Sequence, residues 1–356
     1  MPKLTKKDIQ FIKDNVEKLT NAQMAEILHC DRHTISNHRK RLGISFSDLH
    51  DFSQYDKYII ENYNLKTAKT LSEQIGCSKS YIAKVWSKAG LKGKNNYVYY
   101  CNYYYFDHID SENKAYIIGL LSSDGCLYKR EKHLGLWQIS LQKSDIQILK
   151  DIKQEIEAEH PIKIILSKRE NVQDSCILSI NSDQMYNNLI KIGLMDNKTW
   201  QLNLEKVMNN IPKIYWKDFI RGYIDGDGSI TSRDVISSSH VSIAIPEKSG
   251  KQLVNILKSI GIQCYFELNI SGKYSNNFGQ IYCRNTTEKY CLLKWIYSFN
   301  TEKTLSLKRK EQKALNIISN IEKNITNRKE NIIAVKKWGE LLERWNANQQ
   351  PSQSNS

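Results

Sequence analysis

The sequence predicts an α+β fold, with two pseudo-symmetric αββαββα halves in its C-terminal two thirds and two small all-α units ahead of them. Three observations predict this. A helical pattern near the N-terminus returns 47 residues later, and a glycine-bearing apolar helix ending in aspartate returns 103 residues later. Each copy of that helix then leads into alternating strand patterns in the same order. Self-similarity at a fixed offset marks duplicated structural units. The expected segments are 1–47 and 48–93 for the helical units, 94–107 for a tyrosine-rich linker, 108–212 and 213–345 for the two halves, and 346–356 for a disordered tail.

Composition narrows the partners. A chain of 356 residues exceeds one small core and suits two or three domains. Lys and Arg number 52 against 38 Asp and Glu, giving a formal charge of +14 and a pI near 9.2. That balance favours a polyanion through counterion release. No apolar run reaches membrane-spanning length, and Met1-Pro2-Lys3-Leu4 leads into no signal-peptide core. The expectation is a protein without a membrane partner, cytoplasmic or organelle- or phage-encoded and acting on intracellular DNA. The eight cysteines, Cys30, Cys77, Cys101, Cys126, Cys176, Cys264, Cys283 and Cys291, form no Cys-x-x-Cys pair and read as reduced structural thiols. His29 and His33 stand four apart, but without the metalloprotease glutamate they fit a turn entering a helix.

In the first repeat, Glu26, Cys30, Ile35 and Gly43 are echoed by Glu73, Cys77, Ile82 and Gly90. An amphipathic helix (Asp8 to Val16, Tyr55 to Asn62) precedes a short one carrying Met24, Ile27 and Leu28, or Leu71 and Ile75. After a tight turn, a third helix starts at Asp31 or Ser78, good acceptors for free amides, and stops at Gly43 or Gly90. This is a helix-turn-helix pattern. The third helices carry Arg32, His33, Asn37, Arg39 and Lys40 in one copy and Lys79, Ser80, Lys84 and Lys88 in the other, all candidate DNA contacts. The plain alternative is a packing module with a solvated basic face. The following tyrosines, Tyr97 to Tyr105, suit either a nucleic-acid groove or packing on the next domain.

The second repeat carries the chemistry. Ala115 to Gly125 and Lys217 to Gly228 each read as an apolar helix with an embedded glycine and a terminal aspartate before a glycine. Gly119 and Ser123, like Gly222 and Gly226, are four apart and share one helix face, so two such helices can touch closely. Side by side, they bring Asp124 and Asp227 to one end, where two carboxylates coexist by sharing a proton or a cation. Hard oxygens with open water positions suit Mg²⁺, with Mn²⁺ as a substitute, and a divalent metal can activate water against a phosphodiester. A calcium loop at Asp225-Gly226-Asp227-Gly228 lacks its closing glutamate. Downstream, Leu141-Gln142-Lys143-Ser144 matches Pro246-Glu247-Lys248-Ser249, and Asn197-Lys198-Thr199 matches Glu302-Lys303-Thr304, both at an offset of 105.

On these motifs, residues from about Phe106 to Lys313 resemble a single-chain LAGLIDADG homing endonuclease. The resemblance implies a central interface of the two motif helices, with Asp124 and Asp227 as metal-binding acids and two antiparallel sheets along the DNA major groove. It also implies Lys198 and Lys303 near the active centres, joined by Gln142 and Glu247; for each of these four a solvated surface residue is the plain alternative. The implied activity is site-specific cleavage of both strands of a long asymmetric DNA target by a pseudo-dimeric monomer, across the minor groove with short 3′ overhangs, in intron homing or another mobile element. Ser122 and Ser123 depart from the family's Asp-Ala. A non-cleaving DNA-binding regulator and an intron RNA maturase remain as alternatives; the Met-Pro start and the lack of a His-Asn terminus disfavour an intein. Beyond Thr304 a basic helical stretch including Lys308, Arg309, Lys310 and Lys313 either braces the second half or touches phosphates.

Overall fold

The architecture comes from a computed structural model, which describes residues 4–15, 19, 21–44, 52–63, 66–91, 99–131, 133–167, 169, 172–196, 201–233, 239–269 and 277–347. Of the tail expected over 346–356, Asn346 and Ala347 are instead the last residues of a helix, and 348 onward lies outside the described residues. The chain divides into two compact units, Met1–Lys94 and Asn95–Ser356. Among the described residues no helix is long and apolar enough to cross a membrane.

The first unit contains two three-helix groups. Helices α1 (Lys6–Asn15), α2 (Asn21–Ile27) and α3 (Arg32–Arg41) enclose Ile12, Met24, Ala25 and Ile35. Helices α4 (Asp56–Glu61), α5 (Ala68–Ile75) and α6 (Lys79–Lys88) enclose Ile59, Leu71, Cys77, Ile82, Val85 and Trp86. Side-chain oxygens open α3 and α6: Asp31 accepts from the His33 amide and Ser78 from the Tyr81 amide. Gly43 and Gly90 follow these helices at φ of +69° and +72°, a region where a side chain is strained. On α2, Met24 and Ala25 are buried while Ile27 is 52% exposed.

The second unit is α+β. Its first half runs α7 (Glu112–Ser123), β1 (Gly125–Tyr128), β2 (Leu136–Gln142), α8 (Ile146–Glu155), β3 (Lys163–Ile165), β4 (Ser175–Asn181), α9 (Asp183–Ile192) and α10 (Leu204–Asn209). The second half runs α11 (Trp216–Asp227), β5 (Gly228–Thr231), β6 (His240–Pro246), α12 (Glu247–Ser259), β7 (Tyr265–Leu268), β8 (Phe278–Tyr282), α13 (Thr286–Tyr297), α14 (Lys308–Lys323) and α15 (Lys329–Ala347). Two antiparallel sheets result, ordered β1-β2-β4-β3 and β5-β6-β8-β7. Alternation is clear on β2, where Trp137, Ile139 and Leu141 are buried while Gln138, Ser140 and Gln142 turn outward. One face therefore joins the core, and the other is amide- and hydroxyl-rich.

The ladders set the relation between the halves. Gly125 pairs with Ile139, and Gly228 with Ile243, so β2 and β6 correspond at an offset of 104. The Lys143 amide donates to the Asp174 carbonyl as the Glu247 amide donates to Asn277, which agrees. Glu247 is thus the counterpart of Lys143, and Gln142 is matched by Pro246, one residue away from the correspondence expected from the Lys-Ser motifs.

The tyrosine-rich stretch is no free linker from residue 101 onward. Cys101, Tyr103, Tyr105 and Phe106 are buried in the core of the second unit, and the Asn102 amide donates to the Ile156 carbonyl. Six aromatic side chains in the eight residues from Tyr99 to Phe106 give the segment enough apolar surface to dock.

Candidate active site

Helices α7 and α11 lie side by side at the centre. Gly119 sits against Phe219 and Tyr223, Gly222 against Tyr116 and Leu120, and Gly226 against Ser123. Contacts advance together along both chains, so the helices are parallel and their C-terminal ends coincide. The approach is closer than a side chain allows: a Cβ on Gly119 would stand 2.0 Å from the Phe219 carbonyl oxygen, and one on Gly222 2.1 Å from that of Tyr116. These two contacts mirror each other across the pair.

Asp124 caps α7, and Asp227 is the last residue of α11. An added Cβ on Gly226 would lie 3.2 Å from Asp124 Oδ2, so the Asp124 carboxylate stands beside the residue preceding Asp227. Asp227 is exposed and Asp124 half-buried. Asp124 opens into a cleft of about 360 Å³ lined also by Ser140, Gln142, Asp145, Asp174 and Arg309. Ser140, Gln142 and Ser175 belong to the outward face of the first sheet, which therefore runs directly into the cleft.

A second layer holds the helix ends. Arg309, at the start of α14, grips Asp145 with Nε (2.8 Å) and Nη2 (2.9 Å), and that pairing holds the guanidinium above its ordinary pKa. Lys310 is buried and donates to the carbonyls of Ile224, Asp225, Gly226 and Gly228 at 2.6–3.1 Å, capping the end of α11. Burial pulls its pKa down to about 8, with Asp225 and Asp124 opposing. Asp225 points inward: its oxygens accept from Tyr116 (2.8 Å), Tyr297 (2.8 Å) and the Leu307 amide (2.7 Å), while burial raises its pKa. Two positions before Asp227, it faces the opposite side of α11 and ties α14 to the helix pair.

No family model and no curated protein match the chain. Solved structures similar to it include the homing endonuclease I-WcaI bound to its DNA recognition sequence, at 13% identity and TM-score 0.42, over 58% of this chain and 90% of that one. The LAGLIDADG homing endonuclease I-GzeII in complex with its DNA target is 14% identical, with TM-score 0.39 over 67% and 100% of the two chains. Full-length DUF199/WhiA from Thermatoga maritima is 13% identical, with TM-score 0.38 over 69% and 74%.

Of the candidate residues, Asp124 and Gln142 share the cleft, and Asp227 ends α11 at the same end of the helix pair. Lys303 does not. Its carbonyl accepts from Asn113 Nδ2 (3.1 Å), and Thr304 donates to Glu112 (2.7 Å), so it lies at the first turn of α7. A twelve-residue helix, about 18 Å long, separates that turn from Asp124. Lys198 lies outside the described residues. Glu247 forms an ion pair with Lys251 (2.6 Å) on the first turn of α12. In the first unit, Arg32, His33, Asn37 and Lys40 are exposed on α3, as are Lys79, Ser80, Lys84 and Lys88 on α6. Arg39 is a correction: it is 3% exposed and donates to Asn21 Oδ1 (2.6 Å), serving the core instead of a surface. Arg309 and Lys310 were expected only to brace the second half or touch phosphates, since a basic run at a helix start resembles any solvated face, and Asp145 was not singled out. The even spacing of Leu305 and Leu307 before them was the available signal that this run turns inward.

The donor set bears on a metal. Among the described residues no group of three or more His, Cys, Asp or Glu could cage an ion. Mg²⁺, however, keeps several waters and commonly takes one or two carboxylates plus substrate phosphate. Asp124 and Asp227, both at the open end, fit that requirement; Asp225, with both oxygens engaged, does not.

Proposed function

We propose that this protein is a divalent-metal-dependent, site-specific endonuclease of double-stranded DNA, with Mg²⁺ held by Asp124 and Asp227. The observation that carries the reading is the meeting of two aspartate-tipped helices beside a polar sheet face. Water would add a hydroxyl to the scissile phosphorus, the P–O bond to the 3′ oxygen would break, and that oxygen would receive the proton. A bound divalent ion supplies charge neutralisation and a more acidic water. Gln142 orients groups in the cleft, Arg309 contributes positive charge, and Lys310 holds the α11 terminus in place. The outward residues Gln138, Ser140, Ser179 and Asn181 on one sheet, and His240, Gln280 and Tyr282 on the other, supply donors and acceptors suited to base edges. The three-helix groups of the first unit act as helix-turn-helix modules, their exposed lysines and Arg32 adding phosphate contacts.

The test is incubation of the full chain with Mg²⁺ and a randomised duplex library, followed by sequencing of cut ends. Recovered sites, lost in Asp124→Asn and Asp227→Asn with binding retained, support the reading. Binding without cleavage in the unaltered protein would mean a DNA-binding regulator instead.

A further inference from the structure

All eight cysteines are free thiols, and two of them meet. Cys264 stands one residue before β7 and Cys283 one residue after β8, and their sulfurs lie 3.2 Å apart, hydrogen-bonded to each other. The register makes this meeting specific. Tyr265 pairs with Tyr282, so Cys264 and Cys283 form the next rung of the same ladder. At the other end the Asn269 amide donates to the carbonyl of Phe278, its opposite residue. Hydrogen-bonded and non-hydrogen-bonded rungs alternate in an antiparallel pair, so the Cys264–Cys283 rung, five steps on, is of the non-hydrogen-bonded kind. Such rungs hold opposed Cα atoms about 4.5 Å apart, within the roughly 4.4–6.8 Å span of a disulfide.

Both side chains are buried, and neighbouring elements hold both strand ends. The Gln263 amide donates to Glu288 Oε2 (2.7 Å), and Glu288 is paired with Lys337 of α15 (2.6 Å). Past Cys283, Asn285 caps α13 by accepting from the Glu288 amide (2.8 Å). One turn of α13 thus fixes the approach to Cys264 and the exit from Cys283, and joining the two sulfurs calls for little backbone movement. The hydrogen bond with Cys264 and burial hold the Cys283 thiol well above its ordinary pKa, with Lys289 opposing. Little thiolate forms, so exchange is slow and its outcome is set by equilibrium.

We propose that Cys264 and Cys283 are a reversible modification site, closed to a disulfide by a low-molecular-weight disulfide such as oxidised glutathione. One cysteine thiolate attacks a glutathione sulfur and releases one glutathione. The second cysteine then attacks the protein sulfur of that mixed disulfide and releases the other. Two protein thiols are oxidised, one glutathione disulfide is reduced, and the two protons end on the two glutathione thiols. The new bond ties β7, an edge strand bonded to β8 alone, to its neighbour. Tyr265, Tyr282 and Arg284, whose guanidinium lies 4.1 Å from the Tyr265 ring centroid, then stand on a covalently fixed rung. None of this depends on DNA cleavage.

The experiment equilibrates the full chain with graded ratios of reduced to oxidised glutathione, both folded and in concentrated urea. Samples are quenched in acid, alkylated in denaturant and peptide-mapped without reduction. A Cys264–Cys283 cross-link should form in the folded chain and should persist at ratios on the order of a hundredfold more reducing than the unfolded chain tolerates, because closing a loop of this length favours bond and fold by the same factor. The oxidised chain should also show a higher urea midpoint than the reduced one, a difference that Cys264→Ser removes. Two thiols that stay free in the folded chain at ratios that cross-link them in urea overturn the proposal, as does a cross-link no more stable folded than unfolded. The sulfurs are in that event packed only as small apolar groups. Glutathione left on either cysteine in place of the cross-link overturns it as well. The peptide map uses the unaltered protein, so it stands even where a serine variant fails to fold.

Discussion

Gly119 and Gly222 occupy mirrored positions, each against the carbonyl of the residue three before the other: Gly119 meets Phe219, and Gly222 meets Tyr116. Alanine normally favours a helix by up to about 1 kcal/mol over glycine. Here a methyl group would stand 2.0 or 2.1 Å from a backbone oxygen, and backbone cannot turn aside as a side chain can. The clash wins. Gly119→Ala and Gly222→Ala should each destabilise the second unit by about 3 kcal/mol or more, read from urea midpoints at unchanged slope.

Lys310 should matter more than any exposed lysine near it. Its ammonium satisfies four carbonyls at the end of α11, so Lys310→Met leaves buried acceptors without a donor. A loss of about 3 kcal/mol is expected on thermal unfolding, since a charged hydrogen-bonding group is removed while its partners stay buried. Lys308→Met, at an exposed position paired with Glu311, should change stability by less than about 1 kcal/mol.

His160 provides a pH signature. It is 6% exposed, packs against Tyr99, and burial lowers its pKa to about 4, with a backbone hydrogen bond at Tyr100 opposing. Above the unfolded value near 6.5 both states are neutral. As pH falls from there toward 4, the unfolded chain takes up a proton that the folded one refuses, and stability declines by about 3 kcal/mol. Urea unfolding at pH 7 and pH 4.5 should show this slope, and His160→Phe should flatten that part of it.

In the first unit, surface and core cations should separate cleanly. Lys40→Ala and Lys84→Ala, at exposed positions on α3 and α6, should weaken DNA binding and each reduce the salt slope by about 1. Arg39→Ala should lower the melting temperature of its three-helix group, because Arg39 is buried and bound to Asn21. Anisotropy titrations across salt concentrations, paired with melts, distinguish the two.

Both repeats were legible because duplicated helices keep their apolar spacing, and the aspartates at the motif ends sit where an exposed helix terminus demands polarity. The fine correspondence was not legible. Lys143-Ser144 and Lys248-Ser249 look like equivalents, yet hydrogen-bond register, which residue types do not encode, aligns Gln142 with Pro246. Lys303 was misplaced for a similar reason: its neighbour Leu305 is drawn to the start of α7 by Asn113, a contact 192 residues away in sequence. The bracing alternative for the basic stretch fits Lys310, but the carboxylate and carbonyl partners of Arg309 and Lys310 are contributed by other elements, so local pattern could not name them.

Asn113 takes hold of the second half in two ways, giving its amide to the Lys303 carbonyl and receiving the Leu305 amide on its oxygen. The opening turn of the first half is therefore anchored in a strap that only the second half provides. Two copies of the first half could bring their glycine faces together but would have no such strap. A chain split near residue 212 should accordingly reassemble as a mixed pair, with each fragment on its own short of a fastening it cannot make.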